Sequence, residues 1–343
     1  MDILPQIRDF LQSHIFPLVP PKWWPMFTMG VNVLSLTPFT SLNGNARLLP
    51  KAKKAAQNQM WRLTQHTLLL RTFSLLLISL FRVDQHSVVA MDISSFGQFQ
   101  VLMLALQTRE GRSIPVWFDI LEYPVVSEGS QNQWIIATLQ EFLVLVGCTP
   151  KLVADRGFIG PTLIRSFLKL GLPFYVRMKA GKQIQIGKRM VHLDALRVLE
   201  TTGVMYGCTL RVVRSSKTLM RQRQAKECWY IVTNDLAATR EQILEYYYYR
   251  FEIEETFKDL KHLFATKPRW FTKQHTMRTL LWFQLLGIWI IWKVHTLFSG
   301  SLPPSPVHPK QKSSWFNAVW EQIQQARLLL IIPLLPREGV MML

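Results

Sequence analysis

Two acidic residues of the sequence directly follow short apolar runs. Asp92 comes after Val88–Met91, and Asp155 comes after Leu152–Ala154. An acid at the carboxyl end of a buried strand is fixed by the sheet, while its side chain faces the crevice where ligands bind. Taken singly, an acid at such a position is more often a turn residue or a helix cap. The two acids are therefore candidates for an active site that a third group has to support.

A third acid, Glu254, lies in a segment that has helical periodicity. At about 100° per residue, four other polar side chains fall within roughly 40° of Glu254 around the helix. They are Tyr247, Arg250, Lys258 and Lys261. The neighbouring acids Glu252 and Glu255 point about 160° and 100° away from Glu254 and are expected to be solvated. The helix is thus predicted to carry one polar stripe with a single carboxylate.

An apolar face adjoins this stripe, and the helix is predicted to pack by that face with the stripe at its edge. The face consists of Tyr246, Ile253, Phe257, Leu260 and Phe264. The alternative is an ordinary solvated surface. Arg250–Glu254 and Glu254–Lys258 are i,i+4 pairs, and such pairs stabilise a solvated helix by about 0.2–0.5 kcal/mol each.

The three acids together favour phosphoryl transfer over that alternative. Carboxylates can hold two hard divalent cations about 3.5–4 Å apart, which activate the attacking oxygen and stabilise the leaving oxygen. Cations and hydroxyl groups around them position phosphates. Arg156, Arg177 and Lys179 flank the proposed active edge and are further candidates for DNA contact, with plain surface exposure as the alternative. The sequence has neither the histidine spacing of a zinc hydrolase nor the phosphate-binding loop of an ATP-driven enzyme.

The net charge favours a polyanionic partner. The 343 residues include 40 Lys and Arg against 22 Asp and Glu, a formal charge of +18. Twelve Lys or Arg and only two acids lie between Arg177 and Lys226. Such residues release condensed counterions when they neutralise a phosphate backbone. A structural nucleic-acid-binding protein, a ribosomal protein and a membrane-surface protein share this charge, but none of them needs three carboxylates.

The cysteine content and the apolar runs favour a cytoplasmic location. The three cysteines form no CxxC pair, so a disulfide framework and a structural zinc site are both disfavoured. The N-terminus has no basic stretch followed by an apolar run, as a secretory signal would. The longest apolar candidate, Leu280–Trp292, has thirteen residues. A membrane span needs about 20, so this segment is predicted to be a buried helix.

The order of the elements predicts an α/β fold. Residues 1–85 are expected to form a helical region that is either a DNA-end-binding domain or a plain packing element. Residues 86–298 alternate strands and helices as a mixed sheet does, with a basic, β-rich insertion at about 180–232. The composition of residues 299–343 predicts a linker and a C-terminal tail.

The spacing Tyr247-x2-Arg250-x3-Glu254-x6-Lys261 resembles the Y-x2-R-x3-E-x6-K signature of bacterial insertion-sequence transposases with a DDE triad. Asp92 in MDIS and Asp155 in VADRGF resemble the first and second acids of that family. The resemblance covers residues from about 87 to 294. It implies an RNase H-like domain, in which a five-stranded mixed sheet is flanked by helices and a β-rich insertion separates the second Asp from the Glu.

The same resemblance implies a function. Asp92, Asp155 and Glu254 would be the catalytic, metal-binding acids for two Mg²⁺ ions, for which Mn²⁺ substitutes. Tyr247, Arg250, Lys258 and Lys261 would hold DNA phosphates. The implied activity is cut-and-paste movement by a homodimer that binds terminal inverted repeats and target DNA in the bacterial cytoplasm, at the nucleoid. The alternatives are another RNase H-like nuclease, or a catalytically decayed regulator that binds DNA without moving it.

Overall fold

The computed structural model describes residues 81–122, 130–216, 227–262 and 273–298, with scattered positions between residues 9 and 62 and the pair Val319 and Trp320. Most of the predicted helical region at 1–85, and the predicted linker and tail at 299–343 except Val319 and Trp320, lie outside these residues. The described chain divides into two compact units. One contains 1–81, 96–98 and 258–343, and the other contains 82–95 and 99–257.

Ten strands form a single mixed sheet in the order β3-β2-β1-β4-β5-β10-β9-β8-β6-β7. Strands β1 and β4 pair in parallel, as do β4 and β5, whereas β2 and β3 are antiparallel. The strands are β1 Val88–Phe96, β2 Phe99–Leu106, β3 Ile114–Glu122, β4 Lys151–Ala154, β5 Phe174–Met178, β6 Gln183–Ile186, β7 Arg189–His192, β8 Glu200–Met205, β9 Cys208–Arg214 and β10 Tyr230–Thr233.

The described helices differ from the sequence predictions at two places. They are α1 Ser130–Val146, α2 Pro161–Lys169, α3 Arg240–Tyr249, α4 Glu252–His262 and α5 Gln274–Phe298. The segment predicted as one helix around Glu254 is two helices, α3 and α4. Helix α5 is longer than the predicted Leu280–Trp292, yet none of the helices in the described chain is both long and apolar enough to cross a membrane.

The mixed α/β sheet confirms the predicted fold class. Strands β1 to β5 form the five-stranded part, and β6 to β9 form the β-rich insertion between Asp155 and Glu254. Apolar residues of β1, β4 and β5 are almost fully buried and make up its core. They are Val89, Ala90, Met91, Leu152, Val153, Phe174, Tyr175 and Val176. This rigid centre of the sheet is the support for the candidate site.

Candidate active site

Asp92 and Asp155 lie on neighbouring parallel strands. Met91 of β1 is in register with Ala154 of β4, so Asp92 and Asp155 are the next residues on the two strands. Both strands run in the same direction, which brings the two acids to the same edge of the core, as predicted. The prediction that Asp92 ends its strand is wrong. Strand β1 continues to Phe96 because it turns directly into its neighbour β2.

Tyr247 connects the end of helix α3 to Asp155. Its hydroxyl donates a hydrogen bond to Asp155 Oδ1 at 3.0 Å. The ring is fully buried, and it packs edge-on against Trp229 with 5.2 Å between centroids. Tyr247 is therefore a core residue whose hydroxyl alone reaches the acids, which differs from the predicted place on an exposed stripe.

Arg250 joins the other two acids. Its Nη2 donates to Glu254 Oε1 at 2.6 Å, and its Nη1 lies 3.9 Å from Asp92 Oδ2. The Arg250 side chain is only 2% exposed, against 22% for Asp92 and 41% for Glu254. The guanidinium also stacks 4.6 Å from the centre of the Phe251 ring. A buried cation thus holds a carboxylate from the sheet and a carboxylate from the helix together.

The helical chain tightens between Arg250 and Glu254. The amides of Ile253 and Glu254 donate to the carbonyls three residues earlier, at 3.2 and 3.1 Å. Such i→i−3 bonds are those of a 3₁₀ turn, which winds more tightly than an α-helix. The prediction of one continuous α-helix is wrong at this point. The i,i+4 contact of Arg250 with Glu254 forms nevertheless.

The electrostatics of the three acids are coupled. Burial raises the pKa of Asp92 to about 6; the Arg250 charge opposes this rise, and the charges of Glu254 and Asp155 add to it. Burial also acts to raise the pKa of Asp155, but Arg250, the backbone N–H of Arg156 and the Tyr247 hydroxyl bring it below its usual value. One guanidinium therefore offsets part of the charge of three carboxylates.

The donor set fits divalent cations in chemistry and in charge. Three carboxylates supply the hard oxygen ligands that such ions prefer, and the excess negative charge left beside Arg250 is what an ion would neutralise. In the described part of the chain, no three His, Cys, Asp or Glu side chains already enclose a common point. Arg250 lies between Asp92 and Glu254 instead.

Arg177 extends the row of charged residues to a third strand. Val176 of β5 is in register with Ala154 of β4, so Arg177 is the neighbour of Asp155. Arg177 pairs with Glu227 at 2.9 Å and is 14% exposed, so it is more than a plain surface residue. A pocket of about 450 Å³ opens beside it and is lined by Arg156, Arg177, Met178, Lys179, Ala180, Glu227, Cys228 and Tyr230. Lys179 is exposed.

The remaining residues of the signature, Lys258 and Lys261, lie on the part of helix α4 that belongs to the other compact unit. Lys258 is exposed, and the Lys261 ammonium lies 5.1 Å from the centre of the Phe96 ring. The predicted packing face is confirmed at Ile253, Phe257 and Leu260, which are buried, and Phe264 lies outside the described residues.

The two glutamates nearest to Glu254 on this helix differ from each other. Glu255 is 38% exposed and lies 3.9 Å from Arg112, which agrees with a solvated residue. Glu252 is only 4% exposed, so its prediction as solvated is wrong. Helix periodicity gave its direction, but it did not show that the turn between β2 and β3 covers that side.

Part of the chain that forms this site matches a known protein family. Residues 120–290 match the family model described as the transposase DDE domain. The chain carries a transposase DDE domain. The matched range includes Asp155, Tyr247, Arg250 and Glu254, whereas Asp92 precedes it. No curated protein matches the sequence significantly.

One solved structure similar to this chain is the cryo-EM structure of a piggyBac transposase synaptic complex with hairpin DNA. The similarity has a TM-score of 0.45 at 10% identity and covers 92% of this chain and 76% of that chain. The family match supports the function that the sequence resemblance implies: the protein is a DNA transposase, an enzyme that cuts and transfers DNA strands. It binds DNA, and domains of this family depend on divalent metal ions.

Proposed function

We propose that this transposase belongs to the bacterial insertion-sequence enzymes and moves its element by metal-dependent cleavage and strand transfer at the element's ends. The observation that carries the proposal is the charge cluster around Arg250. This buried cation holds Asp92 and Glu254, while Tyr247 binds Asp155. Residues 162 positions apart in sequence thereby meet where a phosphodiester could be cut.

Asp92, Asp155 and Glu254 are the proposed ligands of two divalent cations, Mg²⁺ or its substitute Mn²⁺. The ions would activate the attacking oxygen and stabilise the leaving one. The chain's own groups would orient these ligands. Tyr247 fixes the Asp155 carboxylate through its hydroxyl, and Arg250 fixes Glu254. The rigid sheet holds Asp92 and Asp155 at the spacing of neighbouring strands.

Tyr247, Arg250, Lys258 and Lys261 are the proposed DNA ligands beside the cleaved bond. Two nitrogens of Arg250, Nε and Nη1, are buried and have no hydrogen-bond partner among the described residues. N–H groups of a cation that lack a hydrogen-bond acceptor favour a phosphate oxygen. Lys258 is exposed, so its ammonium is accessible to a phosphate.

The wider assembly extends the proposal. Residues 86–298 would form the catalytic domain with its basic insertion at about 180–232, residues 1–85 would bind the terminal inverted repeats, and residues 299–343 would be a linker and tail. Two copies would hold two DNA ends and the target DNA in the bacterial cytoplasm. The net charge of +18 supports a large polyanionic partner such as DNA.

Replacement of one acid at a time tests the proposal. Glu254→Gln should lower Mg²⁺-dependent cleavage of a duplex carrying the element end on the order of 10³-fold, because it removes an ion ligand. DNA binding should be retained. The matched control is Glu255→Gln, the adjacent and half-exposed acid, which should cut like the wild type. If Glu254→Gln cuts like the wild type, Glu254 is not in the site; if the wild type binds DNA ends without cutting them, the protein is a regulator.

A further inference from the structure

Glu252 binds the turn that joins β2 to β3. Its carboxylate accepts the backbone N–H of Thr108 and the backbone N–H of Gly111, each at 2.9 Å. Burial raises the pKa of Glu252 above its usual value, and the backbone N–H groups of Thr108, Gly111, Arg109 and Glu110 oppose this rise. A buried carboxylate with several backbone donors is far from the solvated acid that helix geometry alone predicts.

The turn is shaped around this carboxylate. Arg109 has a φ of 67° and Gly111 has a φ of 88°, both in the left-handed region. A non-glycine residue such as Arg109 is disfavoured there by about 1–2 kcal/mol. Successive amides in such a turn point into a common concavity that binds an anion. Here the anion is a side chain of the chain itself, two residues before Glu254.

A second contact holds the same helix one turn later. The Thr256 hydroxyl donates to the Ser113 carbonyl at 3.0 Å. The hydroxyl oxygens of Ser113 and Thr256 are 3.2 Å apart. Thr256 is 1% exposed. The start of α4 is therefore fixed to the β2–β3 turn on both sides of Glu254 in sequence.

The tight 3₁₀ junction makes these contacts important for Glu254. The direction of a helical side chain depends on the winding of the chain before it, which changes from about 100° to about 120° per residue in a 3₁₀ turn. Tyr247 anchors the chain before the junction in the core, and Glu252 anchors it after the junction. The Glu254 carboxylate takes its place between these two anchors.

We propose that Glu252 is a positioning residue for the catalytic site. By holding the β2–β3 turn it sets the rotation of the first turn of α4 and so the place of the Glu254 carboxylate beside Arg250 and Asp92. The effect on catalysis rests on the proposed function of Glu254. The hydrogen bonds between Glu252 and the turn do not depend on the proposed function.

The test uses the full-length protein and two measurements. Glu252→Gln and Glu252→Ala are compared with wild type and with Glu255→Gln, which replaces a neighbouring acid that is 38% exposed and lies 3.9 Å from the Arg112 side chain. Hydrogen exchange followed by mass spectrometry reports whether residues 107–113 are still protected. Single-turnover cleavage in Mg²⁺, started from complexes formed in Ca²⁺, reports the rate per bound, folded protein.

In Glu252→Ala we expect exchange at 107–113 to accelerate and the cleavage rate to fall on the order of 100-fold, a loss typical of a catalytic group displaced by about 1 Å. Glu252→Gln should lie between wild type and Glu252→Ala in both exchange and cleavage rate, since it keeps one acceptor oxygen. It replaces the alanine variant in the test if that variant does not fold. DNA affinity in Ca²⁺ should stay within about twofold, because few phosphate contacts change.

Two results would overturn the proposal. Faster exchange at 107–113 with an unchanged cleavage rate would show that the contact serves stability alone, and unchanged exchange would show that the turn does not depend on Glu252. Absence of cleavage by the wild type would instead contradict the proposed function, while the exchange comparison would still decide whether Glu252 holds the turn.

Discussion

The core strands β1, β4 and β5 and the inserted strands β6, β7 and β8 belong to one sheet but differ in what they carry. The core strands are buried, with charged residues in one row at Asp92, Asp155 and Arg177. The residues of these inserted strands are mostly exposed or half-buried, and exposed cations flank the strands. These are Lys182, Lys188, Arg189 and Arg197. Under the proposed function, the chemistry belongs to the buried core strands, and we expect contact with an extended partner to belong to the insertion.

The strongest test of this division is Asp155→Asn in the core. We expect cleavage to fall on the order of 10³-fold with DNA binding retained, because an ion ligand is lost and no phosphate contact is. Tyr247→Phe, which removes the hydroxyl that donates to Asp155 and keeps the ring, should lower cleavage about tenfold, a loss typical of one hydrogen bond to a charged group. Single-turnover rates of bound complexes measure both. Equal losses in the two variants would mean that Tyr247 acts on the reaction directly.

The sequence predicts the core better than the junction. Strand β3 forms at Ile114–Glu122, within the region that the sequence predicts as a mixed sheet, because a β-rich run between flanking turns defines it locally. The meeting of Asp92 with Asp155 also follows from the sequence, since carboxyl ends of parallel strands share an edge. The extension of β1 to Phe96 does not, because it depends on pairing with β2.

The helix-borne half of the site depends on tertiary contacts. Periodicity places Arg250 one turn before Glu254, and they do pair. It cannot show that the helix breaks between α3 and α4, or that Tyr247 is buried in the core. The burial of Glu252 depends on a turn 141 to 144 positions away in sequence, for which the sequence around Glu252 holds no signal.

Arg250→Ala tests the core by its stability. Removal of the buried cation leaves Asp92 and Glu254 uncompensated, so we expect the free energy of unfolding to fall by about 2–3 kcal/mol, less than for a fully buried pair. Mn²⁺ should raise the melting temperature of this variant more than that of the wild type. The control is Arg109→Ala, which removes an exposed pair with Glu245 and should cost under about 0.5 kcal/mol. Similar melting temperatures for the two variants would contradict a structural role for Arg250.

Gly203→Ala tests whether the insertion can loosen while the core stays intact. A Cβ on Gly203 of β8 would lie 2.4 Å from the Gln185 carbonyl oxygen of β6, so the strands have to shift. We expect a loss of about 1–2 kcal/mol on thermal unfolding, typical of an overpacked site. Hydrogen exchange should rise in β6 and β8 and not in β1 or β4. Gly181→Ala is the control, because a Cβ there meets nothing within 4 Å.

The smallest expected effect separates binding from chemistry. Lys188→Glu with Arg189→Glu reverses two exposed charges at the β6–β7 hairpin, away from the acids in the sheet order. DNA affinity at low salt should fall about tenfold, and the slope of log affinity against log salt should decrease by about two, as expected for two lost phosphate contacts. The cleavage rate per bound complex should not change. Lys169→Glu, an exposed reversal at the end of α2, should weaken binding less. If the double variant and Lys169→Glu lose equal affinity per reversed charge, DNA binding depends on the net charge alone. The insertion would then have no special role in binding.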